Sequence, residues 1–315
     1  MPRLGRRDQL TTAGPHEPVT AASVAAEEIR RFRRASVATA SLARSDMRFD
    51  VNLSILFTEL PLLERPAAAR AAGFGAVELW WPFPGPEPAD REVDALLRAL
   101  GDAGVHLAGL NFDAGDMAAG ERGLLSRPDG SARFRANIDV AVGIAEATGC
   151  RVLNALYGNR VPGLDPHAQD DLAATNLGLA AEAARRCDAT VVVEALNSSE
   201  NPGYPLTSTD AALSVIDRVR EQAGTGNVAF LADLYHLARM GEDPIAVIER
   251  HAAYFGHVQI ADVPGRGRPG TGDLPFGDVF AALDASGYAG FVGLEYRPAG
   301  PSADSFGWLP TKENA

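Results

Sequence analysis

Lysine is almost missing from this chain: Lys312 is the only one among 315 residues, and cysteine is nearly as scarce, with Cys150 and Cys187 alone. Contacts to nucleic-acid phosphates need clustered Lys and Arg, so a formal charge of −12 and a pI near 5.0 argue against a nucleic-acid partner. The two cysteines form no CxxC motif and have no histidine at metal-ligand spacing. They are expected to be reduced, buried and structural, as suits a cytoplasmic protein. No apolar run reaches the roughly 18 residues of a membrane span, so no membrane association is expected. Neither GxxxxGK[ST] nor GxSxG occurs, which leaves phosphate-loop and serine-hydrolase chemistry without a foothold. Gly265, Gly267 and Gly270 do spell GxGxxG after an apolar run. Pro269 interrupts that loop and no helix pattern follows at once, so a dinucleotide site is rejected.

What is present is a regular alternation. From Met47 onward, eight runs rich in apolar and β-branched residues predict strands: 48–54, 76–82, 106–112, 151–157, 190–197, 228–235, 256–263 and 291–297. Amphipathic stretches lie between them, and DREVDALLRALGDAG and SARFRANIDVAVGIAEATG each end at a glycine placed to cap a helix. Eightfold β-α alternation means a parallel sheet, and eight strands suffice to close a single-domain (β/α)8 TIM barrel. Closure follows from the count of strands and not from any pattern within them. Two Asn-x-Ser sequons, at Asn52 and Asn197, fall at predicted strand ends and are discounted as glycan acceptors.

Residues 1–46 differ in kind, carrying eight arginines against five carboxylates. Arg6-Arg7 invites a twin-arginine export reading, but the following TTAGPHEPVTAAS is polar and contains two prolines. With little apolar surface to dock, the segment is expected to be a disordered extension that contributes nothing to catalysis, and the barrel is expected to occupy 47–315.

Four runs in the second half each deliver one oxygen-bearing side chain near their C-terminal end: Glu194 in VVVEALN, Asp233 in AFLADLYH, Gln259 in HVQIAD and Glu295 in FVGLEY. An unpaired buried carboxylate costs several kcal/mol, roughly, and three of them would repel unless a cation stood between them. The four are therefore predicted to ligate one metal. Oxygen donors alone favour a hard divalent ion, Mg2+ or Mn2+, over Zn2+. Such an ion could take the adjacent carbonyl and hydroxyl oxygens of a substrate, acidify the C–H between them and hold the resulting enediolate. Glu194 and Glu295, on opposite sides of that chelate, are the predicted catalytic pair that passes the proton. His236, three residues after Asp233, is expected to hydrogen-bond a substrate oxygen, and Arg266 is a candidate to grip a substrate carboxylate.

Six blocks, VNLSILFTE, AGDMAAGERGL, VEALN with NPGY, DLYHLARM, GHVQIAD with RGRPGTGD, and GLEYRP, together resemble the hydroxypyruvate isomerase family among the xylose-isomerase-like TIM barrels. The resemblance runs from Met47 to about Trp308. It implies metal ligands at Glu194, Asp233, Gln259 and Glu295, acid/base roles for Glu194 and Glu295, and substrate contacts from His236 and Arg266. Gln259 favours the isomerase branch, since related ketose 3-epimerases usually have histidine there. Leu110 and Ser198 stand where some members have histidine, which puts the identity of the substrate in question. The implied reaction is the metal-dependent interconversion of hydroxypyruvate and tartronate semialdehyde, an aldose-ketose type isomerisation of a small hydroxy-keto acid. The alternatives are a 2-oxo-tetronate isomerase and a ketose epimerase or isomerase. A homo-oligomer is compatible with all of these.

Overall fold

Each strand begins within one residue of its predicted start and stops short of the predicted end. In the computed structural model, which describes residues 47–309, the strands are β1 (Arg48–Asn52), β2 (Ala76–Leu79), β3 (His106–Asn111), β4 (Val152–Asn154), β5 (Thr190–Glu194), β6 (Val228–Asp233), β7 (Phe255–Ile260) and β8 (Phe291–Leu294). The residues beyond these ends turn into the loops that carry the site. The expected extension, residues 1–46, lies outside the described residues.

All eight strands are parallel and pair in chain order, and β1 closes the sheet on β8 through Arg48↔Phe291 to Val51↔Leu294. The expectation of a (β/α)8 barrel holds. The surrounding helices are α1 (Arg65–Ala71), α2 (Asp90–Ala103), α3 (Ser131–Thr148), α4 (Pro166–Ala184), α5 (Thr209–Ala223), α6 (Leu234–Arg239), α7 (Pro244–His251) and α8 (Phe276–Ala285). The two glycines read as helix stops are so used: Gly104 (φ 63°) and Gly149 (φ 72°) end α2 and α3 in the left-handed region that a side chain disfavours. Cys150 and Cys187 are free and buried, and burial pushes the Cys150 thiol up to about 12. Asn52 and Asn197 are buried too. Among the described residues no helix is long and apolar enough to cross a membrane.

Side chains alternate across a strand, so a barrel has an outer face against the helices and an inner face in the lumen. Val191 and Val193 of β5 join the large core beneath the helices, whereas Val192 packs with Ala229, Leu231 and Val152 in a separate small cluster. That apolar cluster fills the lumen only on the side of β4 to β6. The opposite side, from β7 through β8 and β1 to β2, buries Asp50, Asn52, Glu78, His257 and Gln259, none more than 3% exposed. Register places Asn52 beside Glu78, and Gly293 between Gln259 and Asp50. A lumen half apolar and half ionic is the main departure from an ordinary barrel interior.

The loop from β7 to α8 is built on one buried carboxylate. Asp262 accepts hydrogen bonds from the backbone N–H groups of Val263 (2.9 Å), Gly270 (2.9 Å), Gly272 (2.8 Å) and Leu274 (3.1 Å). The loop thus wraps a side chain of its own chain, with Gly270 the one GxGxxG glycine that donates to it, and α8 starts only at Phe276. Replacing Asp262 by Ala should strand these donors and cost about 1.5–3 kcal/mol. The expected readout is a lower melting temperature together with faster proteolysis within residues 263–274. An unchanged melting curve would show that the loop is held by something else.

Candidate functional site

The predicted site residues gather at the C-terminal end of the barrel, where the strands' last residues face inward. Glu194 ends β5, Asp233 ends β6, Gln259 is the penultimate residue of β7, and Glu295 is the first residue after β8. Their register is staggered. Asp233 pairs with Gln259 and Gln259 with Gly293, while Glu194 pairs with Leu231, two residues before Asp233. Such stagger is what a tilted, closed sheet requires.

Glu194, Asp233 and His236 bring one ligand atom each within 4.8 Å of the others. Glu194 takes a hydrogen bond from Asn154 Nδ2 (2.9 Å) and is otherwise dominated by burial and by the charges of Glu295 and Asp233, which hold its carboxyl well above the usual range. Asp233 is both a site residue and the N-cap of α6. Its Oδ1 accepts from the Tyr235 (2.9 Å) and His236 (3.4 Å) backbone N–H groups, and its Oδ2 is buried without a partner. His236 is 3% exposed, and desolvation draws it down to about 4. Its Nδ1 accepts from the Asn197 backbone N–H (3.0 Å), which leaves the proton of the neutral ring on Nε2, 3.5 Å from Asp233 Oδ2.

Arg266 is brought to the same place from the β7–α8 loop, at a left-handed φ of 55°. Its guanidinium pairs with Glu295 Oε2, lies 3.7 Å from Asp233 Oδ2 and stacks 5.2 Å over the Tyr235 ring. Nε also donates to the Glu295 backbone carbonyl (3.2 Å). Here the arginine is buried among carboxylates and is not the solvated charge that a Gly-rich loop suggests. Glu295 Oε1 is held in turn by Trp80 Nε1 (2.7 Å) and Asn52 Nδ2 (3.0 Å). Burial still raises the Glu295 carboxyl to about 8, although Arg266 pulls it the other way.

Gln259 is turned differently from the other three. Its Nε2 donates to Glu78 Oε1 (2.8 Å), while its Oε1 is buried without a partner. The sequence reading passed over this lower tier. Glu78 in AVELWWP carries the same signal as the four chosen residues, a carboxylate inside an apolar run, and so does Asp50 in RFDVN. Trp80, Asn52 and Asn154 gave no comparable signal. Leu110 is buried, and Ser198 is exposed with its hydroxyl 3.6 Å from Met240 Sδ, so neither offers the polar contact of a histidine.

The donor set suits a hard divalent cation. Two oxygens, Asp233 Oδ2 and Gln259 Oε1, are buried and accept no hydrogen bond, and burial raises both glutamates. A carboxyl raised in the folded state keeps a proton that the unfolded chain releases. Its stabilising contribution is therefore complete below the unfolded value near 4.5 and is lost as pH climbs toward about 8. Metal-free protein should accordingly melt at lower temperature at pH 8 than at pH 5. Glu295→Gln should flatten that slope in a fluorimetric series with chelator, and a parallel slope in the variant would remove Glu295 as its cause.

Residues 66–312 match the family model described as xylose isomerase-like TIM barrel. The chain is 61% identical over 274 residues to "Putative hydroxypyruvate isomerase" of Streptomyces coelicolor, covering 86% of this chain and 98% of that one. It is 34% identical to the hydroxypyruvate isomerase of Escherichia coli, over 84% and 98% of the two chains. With the 2-oxo-tetronate isomerase of Cupriavidus necator it shares 36% identity over 83% and 97%. A crystal structure titled "AP endonuclease, family 2", from Brucella melitensis, superposes with a TM-score of 0.76 at 37% identity over 83% and 97% of the chains. The family model and the relatives agree: this chain is an isomerase, a member of the hydroxypyruvate isomerase family within the xylose isomerase-like TIM barrels.

Proposed function

We propose that this isomerase interconverts hydroxypyruvate and tartronate semialdehyde, with Glu194 and Glu295 as the proton-carrying pair. The observation that carries the reading is the condition of those two side chains. Both are buried carboxyl groups at one end of the barrel, Glu194 against Asp233 and His236, and Glu295 against Arg266, Trp80 and Asn52. A positioned carboxyl group of this kind can take a proton from carbon and return it. In this isomerisation a proton leaves C3 and one arrives at C2, while the hydroxyl proton passes from the C3 oxygen to the C2 oxygen. The carboxylate at C1 takes no part and serves for recognition.

Glu194, Asp233, Gln259 and Glu295 are the residues that would hold Mg2+ or Mn2+. Bound there, the ion supplies a Lewis acid for the neighbouring carbonyl and hydroxyl oxygens of the substrate. His236, neutral with its proton on Nε2, donates a hydrogen bond to one of those oxygens. Arg266 presents the forked donors that an acid substrate needs, and Trp80 and Asn52 fix the Glu295 carboxylate against rotation.

A second reading, a four-carbon 2-oxo acid, draws on the Cupriavidus relative and on space beside the site. A cavity of about 330 Å³ opens between Trp80, Trp81, Phe83, Asp113 and Met117, and could take a longer chain. A panel of three- and four-carbon hydroxy-keto acids and neutral ketoses, tested on metal-reconstituted protein with products identified by NMR, separates the readings. Chelation should abolish turnover, and fastest conversion of a neutral ketose would overturn the acid assignment.

Glu295→Gln should retain part of the metal affinity and lose roughly 10²–10⁴ in rate, the contribution of a positioned acid or base. Undiminished turnover would take Glu295 out of the mechanism. Arg266→Ala should raise KM for the acid about ten- to a hundredfold through loss of a charge-assisted pair and leave neutral ketoses unaffected. An equal loss on both substrate kinds would make this arginine structural.

A further inference from the structure

Glu78 lies below the candidate site in the lumen, 3% exposed, and touches none of the groups to which the proposed reaction gives a role in proton transfer. Its Oε1 accepts from Gln259 Nε2 (2.8 Å) and from Asn52 Nδ2 (2.9 Å), and its Oε2 faces His257 Nε2 at 2.7 Å. The neighbouring strands leave room for it. A Cβ on Gly293 would come within 2.9 Å of both carboxylate oxygens, and one on Gly109 within 3.5 Å of Oε2. A carboxylate set in this cradle is a built feature of the lumen.

We propose that Glu78 is a positioning residue that decides which end of the Gln259 amide faces the cation site. A primary amide has a donating end and an accepting end. Glu78 Oε1 accepts two amide N–H groups, so Gln259 turns its NH2 to Glu78 and its Oε1 is left buried without a hydrogen bond. Turned the other way, the amide would aim two N–H groups at a cation and repel it. Asn52 obeys the same constraint. Its Oδ1 accepts from the Ser54 backbone N–H (2.9 Å), and its Nδ2 spans Glu78 Oε1 and Glu295 Oε1. One carboxylate thereby orients a donor toward Glu295 and an acceptor toward the ion. The inference rests on the reading of Gln259 as a ligand.

The two claims are separable by Mn2+ titration, followed through the electron paramagnetic resonance signal of the free ion, on wild type, Glu78→Gln, Gln259→Glu and the double variant. A carboxylate at position 259 has no wrong end. Glu78→Gln should therefore weaken Mn2+ binding tenfold or more beside the native Gln259 and less than threefold in the Gln259→Glu background, with folding checked by circular dichroism. A loss of equal size in both backgrounds would mean that Glu78 acts by charge or structure alone and would overturn the proposal. Undiminished binding in Glu78→Gln would overturn it as well. Wild type that binds no Mn2+ would remove the ligand reading and this inference together. If Glu78→Gln does not fold, Gly293→Ala, which displaces the Glu78 carboxylate, takes its place in the same comparison with the same criteria.

Discussion

Five carboxyl groups, Asp50, Glu78, Glu194, Asp233 and Glu295, are buried inside this barrel, and the positive groups set against them are the Arg266 guanidinium and the His257 ring. Taking ionised carboxylates out of water is among the most unfavourable steps a fold can make. Much of the local architecture answers that cost. Amide donors from Asn52, Asn154 and Gln259 point at carboxylate oxygens, Trp80 aims its indole N–H at Glu295, and His257 is raised by its contact with Glu78 against the desolvation that lowers it. Glu194 and Glu295 are left only partly answered, and Asp50 has no hydrogen-bond partner at all and is raised chiefly by burial.

The distribution of charge follows from the topology. A parallel barrel delivers every strand's last inward residue to one end, and a loop that follows a strand can return a side chain to the same point. Arg266 does so. The Asp262 carboxylate folds the β7–α8 loop, and the loop in turn carries a guanidinium to Glu295, just past the end of the adjoining strand. A loop residue thus becomes part of a rigid scaffold.

The barrel was legible because its two signals are local: runs of Val, Ile, Leu and Ala start the strands, and glycines such as Gly104 and Gly149 stop the helices. Strand ends were less so, since the ALY that follows Asn154 is apolar enough to read as strand yet lies beyond the end of β4. Closure depends on pairing between β1 and β8, more than 200 residues apart, and no local pattern encodes it. Glu194, Asp233, Gln259 and Glu295 stood out because a polar residue in an apolar strand needs a reason. Glu78 carries the same mark in β2, a strand of the first half outside the run of four that points to one ion. Asn52, Asn154 and Trp80 were not legible, for an amide or an indole at a strand end is ordinary, and only the fold shows which carboxylate each one meets.

The mooring of Arg266 bears on the speed of the site. Its backbone carbonyl accepts from the Arg297 N–H at 2.7 Å, and the bridge from Asp262 to Gly267 closes the loop beside it, so the main chain is tied to its neighbours independently of the guanidinium. In the proposed substrate role, moving the guanidinium from Glu295 to an arriving anion would need only torsions about the side chain. Such rotamer changes run in picoseconds to nanoseconds at exposed positions, whereas loop and lid rearrangements take up to milliseconds. Even slowed by burial, such an exchange of partners by one side chain would not wait on the loop that carries Arg266.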